Sequence, residues 1–147
     1  MELLKRNGVS LKQRRVAIIG NSNTVGTPLS FVVRDEGAIS ITLCDSNAFH
    51  LSENMNSLKS VIQVADFVFV AIGKPESIKQ DWIKPGAVVV DIGINQMEDG
   101  KVVGDVDFES ISRIAGAITP VPGGVGPMTV AALMHNTFLA ARRLVAK

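Results

Sequence analysis

Short runs of β-branched and aliphatic residues alternate along this chain with stretches of helical periodicity. Residues 15–20 (RVAIIG) form the first run and end in glycine, which predicts a buried strand. Further strands are expected at 39–44, 67–72 and 87–92, with a last short one at 117–119. Between them, residues 2–7 read as the end of a helix stopped by Asn7-Gly8. Residues 25–36 read as a helix closed by Gly37, 51–63 as another helix, 78–83 as a single turn and 108–113 as a short helix. Asp99-Gly100 centres a hairpin over 96–103. A final helix is expected over 129–145, where Val130, Leu133, Met134, Thr137, Phe138, Ala141 and Val145 follow the i, i+3, i+4 pattern. No internal repeat or low-complexity segment interrupts this order.

Strands that are nearly continuous in Val and Ile, each followed by a helix, predict an α/β fold. Its sheet is doubly wound and mainly parallel, with helices on both faces. In such sheets ligands bind outside the carboxyl ends of the strands, at a switch point in strand order. The loops after each strand therefore matter most.

A length of 147 residues fits one domain and leaves little room for a second, substrate-binding one. Forty-six per cent hydrophobic and 20% charged residues exclude a disordered or fibrous chain. The apolar runs are too short to span a bilayer, and residues 1–15 show no apolar core of a secretory signal. A single cysteine, Cys44, excludes a disulfide framework and a cysteine-rich zinc site, and suits a reducing compartment. The net charge of +1 argues against a general nucleic-acid binder. Basic residues cluster in 1–15 (Lys5, Arg6, Lys12, Arg14, Arg15) and acids in 91–109; both are expected to be solvated surfaces.

The loop after the first strand, 20–28, keeps only the first and last glycines of Gly-x-Gly-x-x-Gly. Gly20 permits a tight turn and Gly26 close packing of helix on strand, while the helix N-terminus offers N–H groups to an anion. A nucleotide site and a plain strand–helix junction fit it equally. Asp45, 19 residues after Gly26, stands where an acid can receive a ribose 2′-hydroxyl or cap the following turn. Gly73-Lys74-Pro75 reads first as a strand-ending turn. Residues 91–95 bring another glycine to a strand end. The segment 116–127 holds four of the 13 glycines and three of the six prolines, a shaped loop poor in side chains that suits close approach to a flat ligand. Pro127 suits the first turn of the helix that follows.

Catalytic constellations are scarce. His50 and His135 are expected at the surface. Ser22 and Ser46 have no His at diagnostic spacing. Asp105 and Asp107 read as loop or helix-cap carboxylates, Cys44 as a small buried residue, and no metal signature is present.

Taken in order, the segments 20–28, 70–75, 91–95, 103–108 and 119–129 closely resemble the C-terminal half of the bifunctional methylenetetrahydrofolate dehydrogenase/methenyltetrahydrofolate cyclohydrolases. The most specific of them is the string Thr-Pro-Val-Pro-Gly-Gly-Val-Gly-Pro-Met-Thr. The resemblance covers essentially all 147 residues and implies a Rossmann-type NAD(P)-binding domain. It implies that Gly20, Asn21 and Ser22 meet the cofactor phosphates, that Ser46 and Asp45 lie near the adenosine ribose, and that Gly73, Lys74, Ile94 and Thr129 approach the nicotinamide. Val25, Pro122, Gly123 and Gly126 would line the folate side of a cleft between two domains. The implied chemistry is hydride transfer from methylenetetrahydrofolate to the cofactor, then hydrolysis to formyltetrahydrofolate.

The family's catalytic Tyr and Lys belong to an N-terminal domain absent from this chain, which contains no Tyr. No catalytic residue is therefore assigned here; residues 1–14 read as the tail of an inter-domain helix and its linker, and the isolated chain is expected to bind cofactor with little turnover. Many members carry Arg in place of Asn21 and His in place of Asp45, which weakens NADP relative to NAD in this chain; NADP is still expected, with NAD as the alternative and no metal. The hairpin resembles the edge through which members form homodimers; its plain alternative is a solvated hairpin. Folate is the implied partner, with no nucleic acid and no membrane, in the cytoplasm. Two other readings stand beside this one: a non-catalytic nucleotide-binding regulatory module, and another dehydrogenase with a similar cofactor domain, against which the 119–129 loop speaks.

Overall fold

The computed structural model describes residues 1–45 and 52–145. Five strands form a parallel sheet in the order β2-β1-β3-β4-β7: β1 (Arg15–Ile19), β2 (Ser40–Cys44), β3 (Phe67–Val70), β4 (Val88–Asp91) and β7 (Ala117–Ile118). The helices are α1 (Glu2–Arg6), α2 (Gly26–Asp35), α3 (Ser52–Gln63), α4 (Phe108–Ile111) and α5 (Val125–Val145), with a 3₁₀ turn at Gln80–Trp82. The chain runs from β1 through α2 to β2 at one edge, then returns across β1 to β3. The strand order therefore reverses between β1 and β3.

Strand periodicity explains why both faces are covered. Ala17, Ile19, Val68, Val70 and Val89 point to one face and pack with Leu58 and Ile62 of α3, Trp82, and Ile111 of α4. Val16, Ile18, Phe67, Phe69 and Val90 point to the other and pack with Leu4 of α1, Leu11 and Val33 of α2. The sheet is thus buried on both sides, as continuous apolar strands require. A separate antiparallel hairpin pairs β5 (Asn95–Gln96) with β6 (Val102–Val103).

Two expectations need correction. The last helix starts at Val125, four residues before the expected Thr129, with Pro127 inside its first turn. A first-turn N–H has no intrahelical acceptor, so a proline there removes nothing. The second correction concerns its apolar stripe: Val130, Leu133, Met134 and Phe138 are all at least 60% exposed, and α5 buries no residue. Its half-buried positions are instead Val125, Gly126, Met128, Ala132 and Leu139, a narrower stripe.

Candidate functional site

In a parallel sheet all carboxyl ends lie on one edge, so the loops after β1, β2, β3 and β4 share it. At the reversal point β1 runs into Gly20, whose φ is +111°. A Cβ on Gly20 would sit 2.0 Å from the Ala71 carbonyl oxygen at the end of β3, so only glycine fits between the two strand ends. A Cβ on Gly26 would lie 1.7 Å from the Gly20 carbonyl oxygen, so α2 starts directly on the turn. Within that turn Ser22 Oγ accepts the Val25 N–H at 3.1 Å, and Asn21 Oδ1 accepts the Thr27 hydroxyl at 2.9 Å. Val25 at the N-cap supplies no side-chain acceptor. Thr27 N–H donates to the Ser22 carbonyl oxygen and Leu29 N–H to that of Val25, each at 3.0 Å, and Pro28 carries no N–H, so what α2 presents at the switch point is the Gly26 N–H and the positive end of its dipole. Asp45 is exposed just beyond β2, while Ser46 and His50 lie outside the described residues.

The loops after β3 and β4 are held by two buried acids, Asp91 and Asp105. Asp105 accepts the N–H groups of Ile72 (2.7 Å), Gly73 (3.0 Å) and Lys74 (3.0 Å), and the Asn95 amide at 2.8 Å. Asp91 accepts the N–H groups of Gly93, Asp105 and Val106 at 3.0–3.1 Å. Its own N–H donates to Thr119 Oγ1 at 2.8 Å. Burial pushes the Asp91 carboxyl above its ordinary range, against the pull of those three N–H groups.

The proline- and glycine-rich loop forms the wall of a cavity of about 190 Å³, lined among others by Ile94, Pro122, Gly123 and Gly126. The Val121–Pro122 bond is cis. A second cavity of about 540 Å³ lies between α1, α2 and α5 and is lined by Val25, Pro28 and Thr129 with residues of α1. Both cavities share Ile92 and Val125. Thr129 donates its hydroxyl to the Val125 carbonyl oxygen at 3.1 Å.

The expected residues thus fall into three groups on one edge. Gly20, Asn21 and Ser22 form the first turn, Gly73 and Lys74 the turn after β3, and Ile94, Thr129, Val25, Pro122, Gly123 and Gly126 the two adjoining cavities. Asp107 caps α4 by accepting the Ser110 N–H, as expected of a cap carboxylate. Asp105 is the loop carboxylate of the pair, and it is fully buried. The acidic segment 91–109 is correspondingly only in part a solvated surface, because Asp91 and Asp105 lie inside. The exposed positions of Lys5, Arg6, Lys12, Arg14, Arg15 and His135 agree with expectation, and Cys44 is half-buried, its thiol pKa raised by burial. Sequence reasoning missed Asp91, Asp105 and Asn95 as the scaffold of these loops. The available signal was an acid set between Val103 and Val106, inside an apolar stretch. Among the described residues no group of three or more His, Cys, Asp and Glu side chains converges.

Residues 1–145 match the family described as tetrahydrofolate dehydrogenase/cyclohydrolase, NAD(P)-binding domain. The chain is 48% identical over 142 residues to the bifunctional protein FolD of Acetivibrio thermocellus, covering 97% of this chain and 47% of that protein. It is 47% identical over 147 residues to FolD of Pelobacter propionicus, covering 100% and 49%. The solved methylenetetrahydrofolate dehydrogenase/cyclohydrolase of Campylobacter jejuni superposes with a TM-score of 0.88 at 41% identity, over 97% of this chain and 48% of that one. The Trypanosoma brucei enzyme, solved with NADP cofactor and an inhibitor, gives 0.88 at 34% identity, over 100% and 50%. The chain spans about half the length of the relatives it matches. A parallel sheet whose strand order reverses between β1 and β3 and a match across nearly the whole chain lead to one assignment: this chain belongs to the tetrahydrofolate dehydrogenase/cyclohydrolase family, as its Rossmann-type NAD(P)-binding domain.

Proposed function

We propose that this chain is the NADP-binding half of an enzyme that oxidises methylenetetrahydrofolate to methenyltetrahydrofolate and hydrolyses the product to formyltetrahydrofolate. The observation that carries the reading is the Gly20–Gly26 contact, which aims the N-terminus of α2 into the β1/β3 crevice beside the cavity walled by the proline-rich loop. The bound cofactor supplies the hydride acceptor. The chain's own residues do the positioning. Gly20, Asn21 and Ser22 present the first turn to the pyrophosphate; Gly73, Lys74, Ile94 and Thr129 border the nicotinamide; Val25, Pro122, Gly123 and Gly126 face the folate, which sits in the cleft toward the N-terminal domain. Placement of this kind accounts for several orders of magnitude in bimolecular steps.

Asn21 and Asp45 shape the choice of cofactor. Asn21 carries no cation and is engaged with Thr27, while Asp45 adds an exposed anion at the end of β2. Both weaken the hold on a 2′-phosphate, so NAD is bound as well as NADP. The hairpin β5–β6 pairs with its copy in a homodimer, for which an exposed edge is suited. Identity of 43–48% to bifunctional enzymes supports the enzyme over a regulatory module. Titrating the chain with NADP and with NAD by calorimetry tests the reading. Binding of either supports it; failure to bind either overturns it, and equal affinities show that Asp45 does not reach the ribose.

A further inference from the structure

Two turns on the carboxyl edge carry a strand-ending glycine, and either offers backbone N–H groups to an anion. They differ in what already fills them. In the turn after β3, three successive N–H groups, those of Ile72, Gly73 and Lys74, converge on the Asp105 carboxylate, with Gly73 at φ +68°. Successive N–H groups around a left-handed residue make an anion nest, and this one holds a fully buried anion from the chain itself.

That anion is held in turn. The Asp105 N–H donates to Asp91 Oδ1 at 3.1 Å, and the Asp91 N–H to Thr119 Oγ1 at 2.8 Å, so one series of bonds joins the turn after β3 to the start of the proline-rich loop. Asn95, at the start of the hairpin, completes the shell of Asp105 at 2.8 Å. The fit leaves no slack. A Cβ on Gly93 would stand 2.1 Å from the Asp105 carboxyl carbon, and one on Gly104 would stand 1.8 Å from Asp91 Oδ2.

We propose that Asp105 is a positioning residue for the nicotinamide half of the cofactor: by filling the nest after β3 it denies that turn to phosphate and fixes Gly73 and Lys74 against the uncharged end of the dinucleotide. Asp105 touches neither cofactor nor substrate in this scheme; it acts through the backbone of residues 72–74. The inference rests on the cofactor reading above.

The test compares Asp105→Asn with the unsubstituted chain. An amide of the same shape replaces one accepting oxygen with a donor, which then faces N–H groups. Two probes separate the halves of the cofactor: NADPH, and adenosine 2′,5′-bisphosphate, which lacks the nicotinamide. The expected result is a loss of NADPH affinity of about tenfold or more, the size of one misplaced charge-assisted contact, with affinity for the bisphosphate kept within about twofold. Asn95→Ala, which removes one donor and leaves the nest filled, should show the same selectivity to a smaller degree, and serves if Asp105→Asn fails to fold. Loss of both probes in parallel by a folded variant, or of neither, overturns the proposal. Failure of the unsubstituted chain to bind NADPH overturns the cofactor reading itself, and this inference with it.

Discussion

Gly26→Ala sets two physical effects of opposite sign against each other. Gly26 is the first residue of α2, and helix propensity favours alanine over glycine by up to about 1 kcal/mol. The added Cβ, however, would stand 1.7 Å from the Gly20 carbonyl oxygen and 3.2 Å from the Asn21 Cα. Ordinary contact begins near 3.4 Å, so the shortfall is about 1.7 Å, and both neighbours are backbone that no rotamer change can move aside. Overpacking of this kind costs about 1–3 kcal/mol. The net effect is destabilisation of about 1–2 kcal/mol, a fall in Tm of roughly 2–8 °C for a chain of this size. Relief of the clash lifts the first turn of α2 off the crevice, and losing one charge-assisted contact to the pyrophosphate weakens NADPH binding by roughly 10- to 100-fold. Gly126 is the matched control, because it also lies in the first turn of a helix but a Cβ there meets nothing within 4 Å. Gly126→Ala should hold or raise Tm. Thermal unfolding of both variants, with NADPH titration of Gly26→Ala, decides the matter. A Gly26→Ala chain as stable as the unsubstituted one, with unchanged affinity, would refute the close-approach argument.

Ile62→Ala, which empties a fully buried position on the inner face of α3, should cost about 2–5 kcal/mol, whereas Phe138→Gln on the exposed stripe of α5 should stay within about 0.5 kcal/mol; denaturant unfolding of the two measures the contrast. Asp66 accepts the Arg15 N–H at 3.0 Å and the Lys84 ammonium at 2.5 Å, and these hold its carboxyl below its ordinary value of 3.8. A lowered folded-state value means that this stabilisation is complete above pH about 3.8 and disappears as pH falls through the folded value. Asp66→Asn should therefore lower Tm at neutral pH by the few degrees that about 1 kcal/mol represents, with the gap closing as the pH falls into the acid range; a gap that does not narrow in acid refutes the assignment. Supplied with methylenetetrahydrofolate and NADP, the chain should show little turnover, because none of its 147 residues is a Tyr; a rate matching a two-domain relative, followed by absorbance of the reduced cofactor, contradicts this.

The sheet was legible because its strands are buried on both faces and so must be apolar at every position. Residues 16–19 of β1 and Phe67–Val70 show this most clearly. The limits of the strands were less legible, and β3 gives the reason. Its apolar run continues through Ala71 and Ile72. The Ala71 N–H still reaches the Ile19 carbonyl at 2.8 Å, but the next N–H, of Ile72, goes to Asp105. The strand ends where a side chain 33 residues away captures the backbone, and local hydrophobicity carries no trace of that capture. The α5 stripe misleads for a related reason. Periodicity reports that Val130, Leu133, Met134 and Phe138 share a face, but not what covers it. In this chain that face is exposed.

The candidate site divides the same way. Residues that act through their backbone were readable, because glycine and proline announce backbone requirements at their own positions. Gly20 and Gly26 were placed by a pattern, and the geometry supplies the cause, since each leaves no room for a Cβ. Residues that act on another segment's backbone were not readable. Asp91 and Asp105 have the composition of surface acids, and only the crossing of residues 103–106 past the ends of β3 and β4 gives them N–H groups to accept. That crossing also decides what the two glycine turns do. A motif reading treats the turn after β1 and the turn after β3 as the same kind of feature, a glycine offering N–H groups at a strand end. The long-range acid breaks that symmetry: the nest after β3 is filled by a side chain from elsewhere in the chain, whereas no side chain caps the N-terminus of α2.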